Sequence, residues 1–211
     1  MKTVLVVNPK GGTGKTVTAI TLAGALAAQR KRVALADADV QKSSYSWLKR
    51  RNLGQAPIKR RDWTSPRDLG KAPKRADYLI VDAPGSIDTE DAAALVKQAD
   101  LILVPLTASW IDEDATRRFL VELREIKRIR KGKARIEIVA NRLRKFSRSR
   151  LDLMKFCKSM GQPPLACIAD RTMYGDLARQ GKSVFDDQRK PFRQIQAQWQ
   201  PVLDVILDKA G

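Results

Sequence analysis

A chain of 211 residues with 43% hydrophobic and 30% charged content has the makeup of one folded domain, not of a disordered or fibrous polymer. Its 41 Lys and Arg against 23 Asp and Glu leave a formal net charge of +18, which points to an anionic partner. The absence of histidine excludes the usual general base, the Ser-His-Asp and Cys-His nucleophile systems and nearly all zinc sites, and Cys157 and Cys167 are too few for a disulfide framework or a four-thiolate metal site.

Short apolar runs alternate with longer segments of helical period, the pattern of a parallel sheet flanked by helices. The expected strands, in chain order, are Thr3 to Asn8, Val33 to Asp37, Tyr78 to Asp82, Leu101 to Pro105, Ile136 to Ala140 and Leu165 to Ile168. Each is apolar at nearly every position instead of alternating, as strands buried on both faces are. Helices are expected over Lys15 to Gln29, Asp88 to Lys97, Asp112 to Arg130, Ser147 to Met160, Tyr174 to Gln180 and Lys190 to Lys209, the last with a bend before Pro201. The expected fold is therefore α/β: a doubly wound, mostly parallel sheet with helices on both faces, in one domain over residues 1–211. From Lys49 to Arg75, ten Lys/Arg, only two Asp, and Pro57, Pro66 and Pro73 mark a loop-rich basic edge with room for one short strand. The longest apolar runs, such as Leu101 to Val104, are too short to span a bilayer, and Met1-Lys2 leads straight into a strand pattern. Neither export nor membrane insertion is expected, and a reducing cytosol is the expected setting.

The segment Asn8-Pro9-Lys10-Gly11-Gly12-Thr13-Gly14-Lys15-Thr16 lies between the first strand and the first long helix. Glycines let backbone amides fold around phosphate oxygens, the following helix N-terminus adds partial positive charge, Lys15 neutralises the outer phosphates, and the Thr16 hydroxyl can ligate magnesium. Nucleotide binding by the loop from Lys10 to Val17 is expected. The general template has glycine six positions before its lysine, and here that residue is Pro9, followed by a second lysine, Lys10. Past a later strand end come Asp37-Ala38-Asp39-Val40-Gln41, where open α/β sheets place ligands, although two acids there also suit a turn or a helix cap. The run Tyr78 to Asp82, followed by Ala83-Pro84-Gly85, reads as a strand-terminal carboxylate for magnesium and a flexible glycine amide able to sense a terminal phosphate.

The two-lysine loop Lys-Gly-Gly-Thr-Gly-Lys-Thr resembles the deviant Walker A motif of the ParA/MinD family of dimeric ATPases. Asp37 to Gln41 resembles that family's switch I pattern, Asp-x-Asp-x-Gln, with Val40 where proline is more usual, and Asp82 to Gly85 is similar to its Walker B and switch II. The resemblance covers nearly the whole chain, with its specific motifs in the first 90 residues or so. It implies a P-loop NTPase fold of the deviant Walker A type, ATP and Mg2+ as ligands, and hydrolysis of ATP to ADP and phosphate. By it, Lys10 reaches across a dimer interface to the partner's nucleotide, so that ATP holds a sandwich homodimer, while Lys15 carries the phosphates and Asp39 positions the attacking water. Thr16, Asp37, Asp39 and Asp82 make the implied magnesium set. Asn141 is the implied adenine reader, though an asparagine at a strand end is also an ordinary turn residue. Ile168 to Met173 lies where the family closes its base pocket, and Ser183-Val184-Phe185 where it has a small apolar patch.

From Arg117 to Arg150 there are fourteen Lys/Arg against three Glu, and Arg189, Lys190 and Arg193 open the last helix. A solvated surface is the ordinary reading of such runs, but +18 on one domain fits the footprint of nucleic-acid binding. No helix-turn-helix, zinc finger or aromatic platform is evident, so the expected contacts are to phosphates of double-stranded DNA, without base readout and weakened by salt. The residues expected there are Arg171, Lys190 and Arg193, supported by Arg142, Arg144 and Lys145. Little sequence precedes the first strand, as in the small ParA branch without an N-terminal DNA-reading domain. The resemblance then implies a cytoplasmic, nucleoid-associated ATPase that positions a plasmid, a chromosome origin or a protein body such as a carboxysome. Its slow hydrolysis would be stimulated by a cargo-bound partner protein. Two alternatives stand beside it. A MinD-like membrane regulator of division needs a basic amphipathic C-terminal helix, whereas Trp199 to Lys209 carries Asp204, Asp208 and an internal Pro201, so no membrane partner is expected. A metabolic P-loop ATPase gains nothing from so basic a surface, and an iron-sulfur bridge needs better-placed thiolates than Cys157 and Cys167.

Overall fold

The computed structural model describes residues 1–63, 70, 73–109 and 113–208. Among them, β1 (Lys2–Val6), β2 (Val33–Asp37), β3 (Ile58–Asp62), β4 (Tyr78–Asp82), β5 (Leu101–Leu106), β6 (Arg135–Leu143) and β7 (Ala166–Ala169) form a seven-stranded sheet. The order is β3-β2-β4-β1-β5-β6-β7, and every pairing is parallel. The continuous apolar runs account for this, since parallel strands are covered by helices on both faces. Val4 and Val6 point to one face and Leu5 and Val7 to the other, and all four are fully buried.

On the face of Val4, α1 (Lys15–Ala28) and α8 (Lys190–Ile206) bury Leu22, Leu26, Trp199 and Leu203, joined by Trp47 from α2 (Ser43–Arg50), and α7 (Met173–Arg179) packs Tyr174 and Ala178 against them. The opposite face carries α3 (Thr89–Val96), α4 (Glu113–Glu125) and α6 (Arg148–Ser159), which bury Leu95, Phe119, Leu123 and Phe156. The doubly wound parallel fold is thus as the sequence implies, and β3 is the one short strand for which the basic edge had room. Three details differ. The helix expected from Asp112 to Arg130 is two pieces, because Ile126 takes an extended conformation (φ −63, ψ 124) between α4 and α5 (Lys127–Arg130), so that Ile126 and Ile129 pack against the core. The helix α2 was not expected at all. The last helix runs unbroken through Pro201, an exposed residue, where the carbonyl freed by its missing N–H stays within reach of water. Asp112, Pro66 and Lys209 lie outside the described residues.

A tight contact fixes α1 against the C-terminal third. Ser183 opens a 3-10 turn, Val184–Asp186, by accepting from the Phe185 N–H, while Asp186 Oδ2 accepts from the Ser183 N–H at 2.7 Å. Asp186 is also ion-paired at 2.7 Å with Arg51, both side chains being nearly fully buried. A Cβ on Gly24 of α1 would collide with Ser183 Oγ. Gly24→Ala is therefore expected to destabilise by about 1–3 kcal/mol through overpacking. At roughly 2–4 °C per kcal/mol for a chain of this size, calorimetry should record a Tm several degrees lower. An unchanged Tm would show that the contact yields freely.

Candidate nucleotide site

Ligands of open α/β sheets bind at the carboxyl ends of the strands, and the loop after β1 leaves the sheet there, between β4 and β5. Gly12 (φ 77) and Gly14 (φ 87) take the left-handed conformation that favours glycine. Two other helices carry side-chain caps: Asp88 accepts from the Asp91 N–H on α3, and Ser147 from the Arg150 N–H on α6. At the start of α1 there is no side-chain cap and no acidic residue in the first turn. Its unsatisfied N–H groups and partial positive charge are left for an anion. Gly11 and Gly12 are exposed, with open space where their side chains would stand.

Lys15 is buried beneath this loop. Its Nζ donates to the carbonyls of Asn8 (3.0 Å), Lys10 (2.6 Å) and Gly85 (3.1 Å). Burial pulls its pKa down to about 8, against the attraction of Asp82 and Asp39. The Lys10 N–H donates to Asn8 Oδ1 at 2.8 Å, and Asn8 Nδ2 donates to the Pro105 carbonyl at 2.9 Å, which ties the loop to β5.

Three carboxylates at neighbouring strand ends have different surroundings. Asp37 accepts from the Asp39 N–H (3.0 Å) and the Tyr45 N–H (2.8 Å), so it anchors the first turn of α2. Asp39 accepts from the Gln41 N–H and, through Oδ2, from the Gly85 N–H, both at 2.9 Å. Asp82 is buried, and neither of its oxygens has a hydrogen-bond partner. Burial, and then repulsion from Asp37, push its pKa up to about 7; the Thr16 and Ser44 hydroxyls face it and oppose the rise, but neither reaches hydrogen-bond geometry. A buried carboxylate without a donor is costly to ionise and suits a cation. Magnesium commonly takes one or two carboxylates together with hydroxyl, water and phosphate oxygens, and Asp82 with Thr16 provides such a set. Asp37 and Asp39, also expected in that set, each accept backbone N–H groups on both oxygens.

The charge on Asp82 gives a prediction with a definite sign. Its folded pKa lies above the ordinary carboxylate value, so the ionised group opposes folding above about pH 7, and the opposition fades as the pH falls from there. Asp82→Asn is expected to raise the Tm of the nucleotide-free protein by several degrees at pH 8 and by much less at pH 5. It should also erase the extra stabilisation that Mg2+ adds to bound nucleotide. Melting curves with and without Mg2+ test both, and a lower Tm at pH 8 would contradict the account.

Beside the loop is a cavity of about 420 Å3, walled by Gly14, Val17, Asn141, Ala169, Arg171 and Tyr174. Asn141 lies inside β6, not past its end as expected. The pairing with β7 shifts register between Ala140 and Leu143, and Arg142 takes φ 53. The irregularity turns Asn141 onto the loop, where Nδ2 donates to the Thr13 carbonyl at 2.9 Å and the side chain leaves no room for a Cβ on Gly14.

Residues 4–185 match the family described as the CobQ/CobB/MinD/ParA nucleotide binding domain. The chain belongs to this family. A relative named maintenance of carboxysome distribution protein A, from Halothiobacillus neapolitanus, is 31% identical over 188 residues, 87% of this chain and 86% of that one. Two solved structures share the fold. The septum site-determining protein MinD from Pyrococcus horikoshii, complexed with Mg-ADP, matches with a TM-score of 0.77 at 17% identity, covering 100% of this chain and 97% of that one. The Cyanothece McdA structure in its apo form matches with a TM-score of 0.71 at 20% identity, covering 93% and 98%.

In this CobQ/CobB/MinD/ParA chain, the cations expected on a DNA surface fall into separate places. Arg142 Nη1 donates to the Gly12 carbonyl at 3.2 Å, and its Nε lies 3.6 Å from Asp170, so it braces the phosphate loop. Arg171 walls the cavity, and Arg144 shares a cleft with Gly11 and Gly12. Lys145 is exposed and stacks over the exposed Phe146 ring at 5.0 Å, while Lys190 and Arg193 are exposed on the first turn of α8. Two residues at the site escaped the sequence reading: Ser44, which faces Asp82, and Lys42, whose Nζ donates to the Trp63 carbonyl (2.9 Å) and pairs with Asp62 (2.7 Å), joining the ends of β2 and β3. The thiol of Cys157 is buried and pushed up to about 11, as an inert core residue would be.

Proposed function

We propose that this chain is a ParA-type positioning ATPase. It would bind ATP and Mg2+ at the two-lysine loop, close as a homodimer over the nucleotide, hold non-specific double-stranded DNA in that state, and release it when a cargo-bound partner stimulates hydrolysis. The observation that carries this reading is the pairing of Lys10 and Lys15 with an uncapped helix start and the donor-free carboxylate of Asp82. In the proposed site the amides of Gly11 to Gly14 and the ammonium of Lys15 bind phosphate oxygens, and the side chain of Lys10 serves the second copy's nucleotide. Thr16 and Asp82 hold magnesium, which when bound offsets phosphate charge. The cavity beside Asn141 and Arg171 takes the base.

Asp39 is the residue for the attacking water. Its Oδ2 now accepts from the Gly85 N–H, whose own carbonyl accepts from Lys15. Phosphate drawing the Lys15 ammonium away would loosen Gly85 and free the Asp39 carboxylate together, which links binding to assembly of the hydrolytic site. Of the cargoes, a protein body accords best with the carboxysome relative, which is similar over most of both chains. A membrane-bound role has less support, because α8 buries Trp199, Val202, Leu203 and Ile206 against the sheet, and no helix among the described residues is long and apolar enough to cross a membrane.

Binding to duplex DNA of arbitrary sequence tests the reading. Affinity should rise at least tenfold with ATP over ADP, and the ATP-dependent increment should vanish in Asp82→Asn. Equal affinity with ATP and ADP would refute the gated DNA step.

A further inference from the structure

The strand order gathers cations from distant parts of the chain along the amino edge of the sheet, the edge opposite the nucleotide site. Next to the start of β3 is Lys59. Before β2 come Arg30 and Lys31, before β4 come Lys74 and Arg75, and before β6 come Lys131 and Lys133; all seven are exposed. The starts of β3, β2, β4 and β1 are level, since Val33 pairs with both Ile58 and Tyr78 and Lys2 pairs with Tyr78; β5 and β6 begin two residues further along, as Leu101 pairs with Val4 and with Arg135, and Lys131 and Lys133 precede Arg135 on the way back toward the same edge. The acids of this edge are already taken. Asp77 pairs with Arg32, Asp100 with Arg128, and Asp208 with Lys2. Among the described residues, Lys31, Lys74 and Lys133 make no ion pair.

We propose that this row is a docking surface for the phosphate backbone of duplex DNA, independent of bound nucleotide and separate from the ATP-gated contacts proposed above. Two lines of reasoning support it. The first is quantity. Helices of this fold end at the amino edge, and a cation there offsets the partial negative charge of about one half on each helix C-terminus. The ends of α1, α2, α3, α5 and α8 account for about two and a half charges by that measure, well under half of what the row carries. The second is shape. Six strands at about 4.8 Å spacing, from β3 to β6, make a line of cations about 24 Å long. A duplex presents one phosphate per strand every 3.4 Å or so, so about seven base pairs lie against such a line. At the β3 end, Arg30, Lys31, Arg32 and Lys59 rim a cavity of about 450 Å3 with an apolar floor at Ala27, Val33 and Ile58, which adds depth to the surface. The strand length sets the row about 16 Å from the phosphate loop, so closing two copies over the nucleotide leaves it open.

The test uses the full chain without nucleotide, a labelled duplex of arbitrary sequence and a salt series. The wild-type protein should bind, with affinity falling steeply as salt rises. The triple variant Lys31→Ala, Lys74→Ala, Lys133→Ala should bind at least tenfold more weakly at low salt, with the log-log salt slope shallower by about 2 to 3, as expected for about 0.9 counterions released per lost phosphate contact. A melting curve checks that the triple variant is folded; the three side chains are exposed and unpaired, so its Tm should match wild type. No nucleotide-free binding by wild type, or an unaltered slope in the folded triple variant, overturns the proposal. Loss of binding to anionic phospholipid vesicles by the variant, with DNA binding intact, also overturns it and makes the row a membrane surface. Failure of the ATP-gated reading shows separately, as the absence of any ATP-dependent gain in wild type.

Discussion

Lys15→Ala is expected to weaken ATP binding by about 10²- to 10³-fold. Removing one partner from a buried charge pair costs roughly 3–5 kcal/mol, and each 1.4 kcal/mol is about tenfold in affinity. The geometry supplies the reason: the ammonium is held under the loop by the carbonyls of Asn8, Lys10 and Gly85, next to the loop amides proposed to bind phosphate oxygens. The pKa of about 8 adds a second signature. Below that pH the lysine is charged before and after binding, so affinity should be flat. Above it the free protein has lost the proton, which an anionic ligand restores; affinity should therefore fall as pH rises past about 8, by up to tenfold per pH unit. Isothermal calorimetry across about pH 7 to 9.5 should show this break in wild type and not in Lys15→Met. Retained affinity in the alanine variant would break the assignment of the loop.

Asp39→Ala is expected to cut hydrolysis by roughly 10²- to 10⁴-fold, the usual scale for a positioned proton acceptor, while changing ATP affinity only several-fold. The asymmetry follows from where the carboxylate sits. It accepts from the Gln41 and Gly85 N–H groups and makes no hydrogen bond to Lys15 or to the loop amides of Gly11 to Gly14, so phosphate binding does not depend on it. The variant should accumulate as an ATP-bound dimer. Asp39→Asn separates two roles, because an amide oxygen can still accept from Gly85 but cannot take a proton. Both variants should be inactive in a phosphate-release assay; an active asparagine variant would reduce Asp39 to an anchor for the Gly85 loop.

Much of the fold was legible because the deciding patterns are local. Val4 to Val7, Leu79 to Val81 and Leu101 to Val104 are apolar on both sides, and that alone demands a covered parallel sheet. The glycine-lysine-threonine loop was legible for the same reason, since strand, turn and helix start are contiguous. The helix α2 was not, because eight residues are too few to show a period, and its first turn is tied by the Tyr45 N–H to a carboxylate on the preceding strand. The break at Ile126 was hidden because the residues on either side keep helical composition. At the site, Asp37 and Asp82 both end apolar strands and look alike in sequence. Only the folded chain shows two backbone donors on the first and none on the second. Charge was legible as a total and not as a distribution. Arg142 and Arg171 turned out to line the cavity beside the two-lysine loop, and Lys31, Lys74 and Lys133, far apart in the chain, come to one edge through strand order alone.

The central claim is that ATP itself joins two copies through the two-lysine loop. Its most direct test is the molar mass in solution, by light scattering, of Asp39→Ala with Mg2+ and either ATP or ADP, beside Lys10→Ala in the same background. The account predicts close to twice the 23.6 kDa of one chain with ATP, a single chain with ADP, and a single chain in the Lys10 variant with either nucleotide. One mass under all conditions, or an ATP-dependent dimer that forms equally well without the Lys10 side chain, would contradict it.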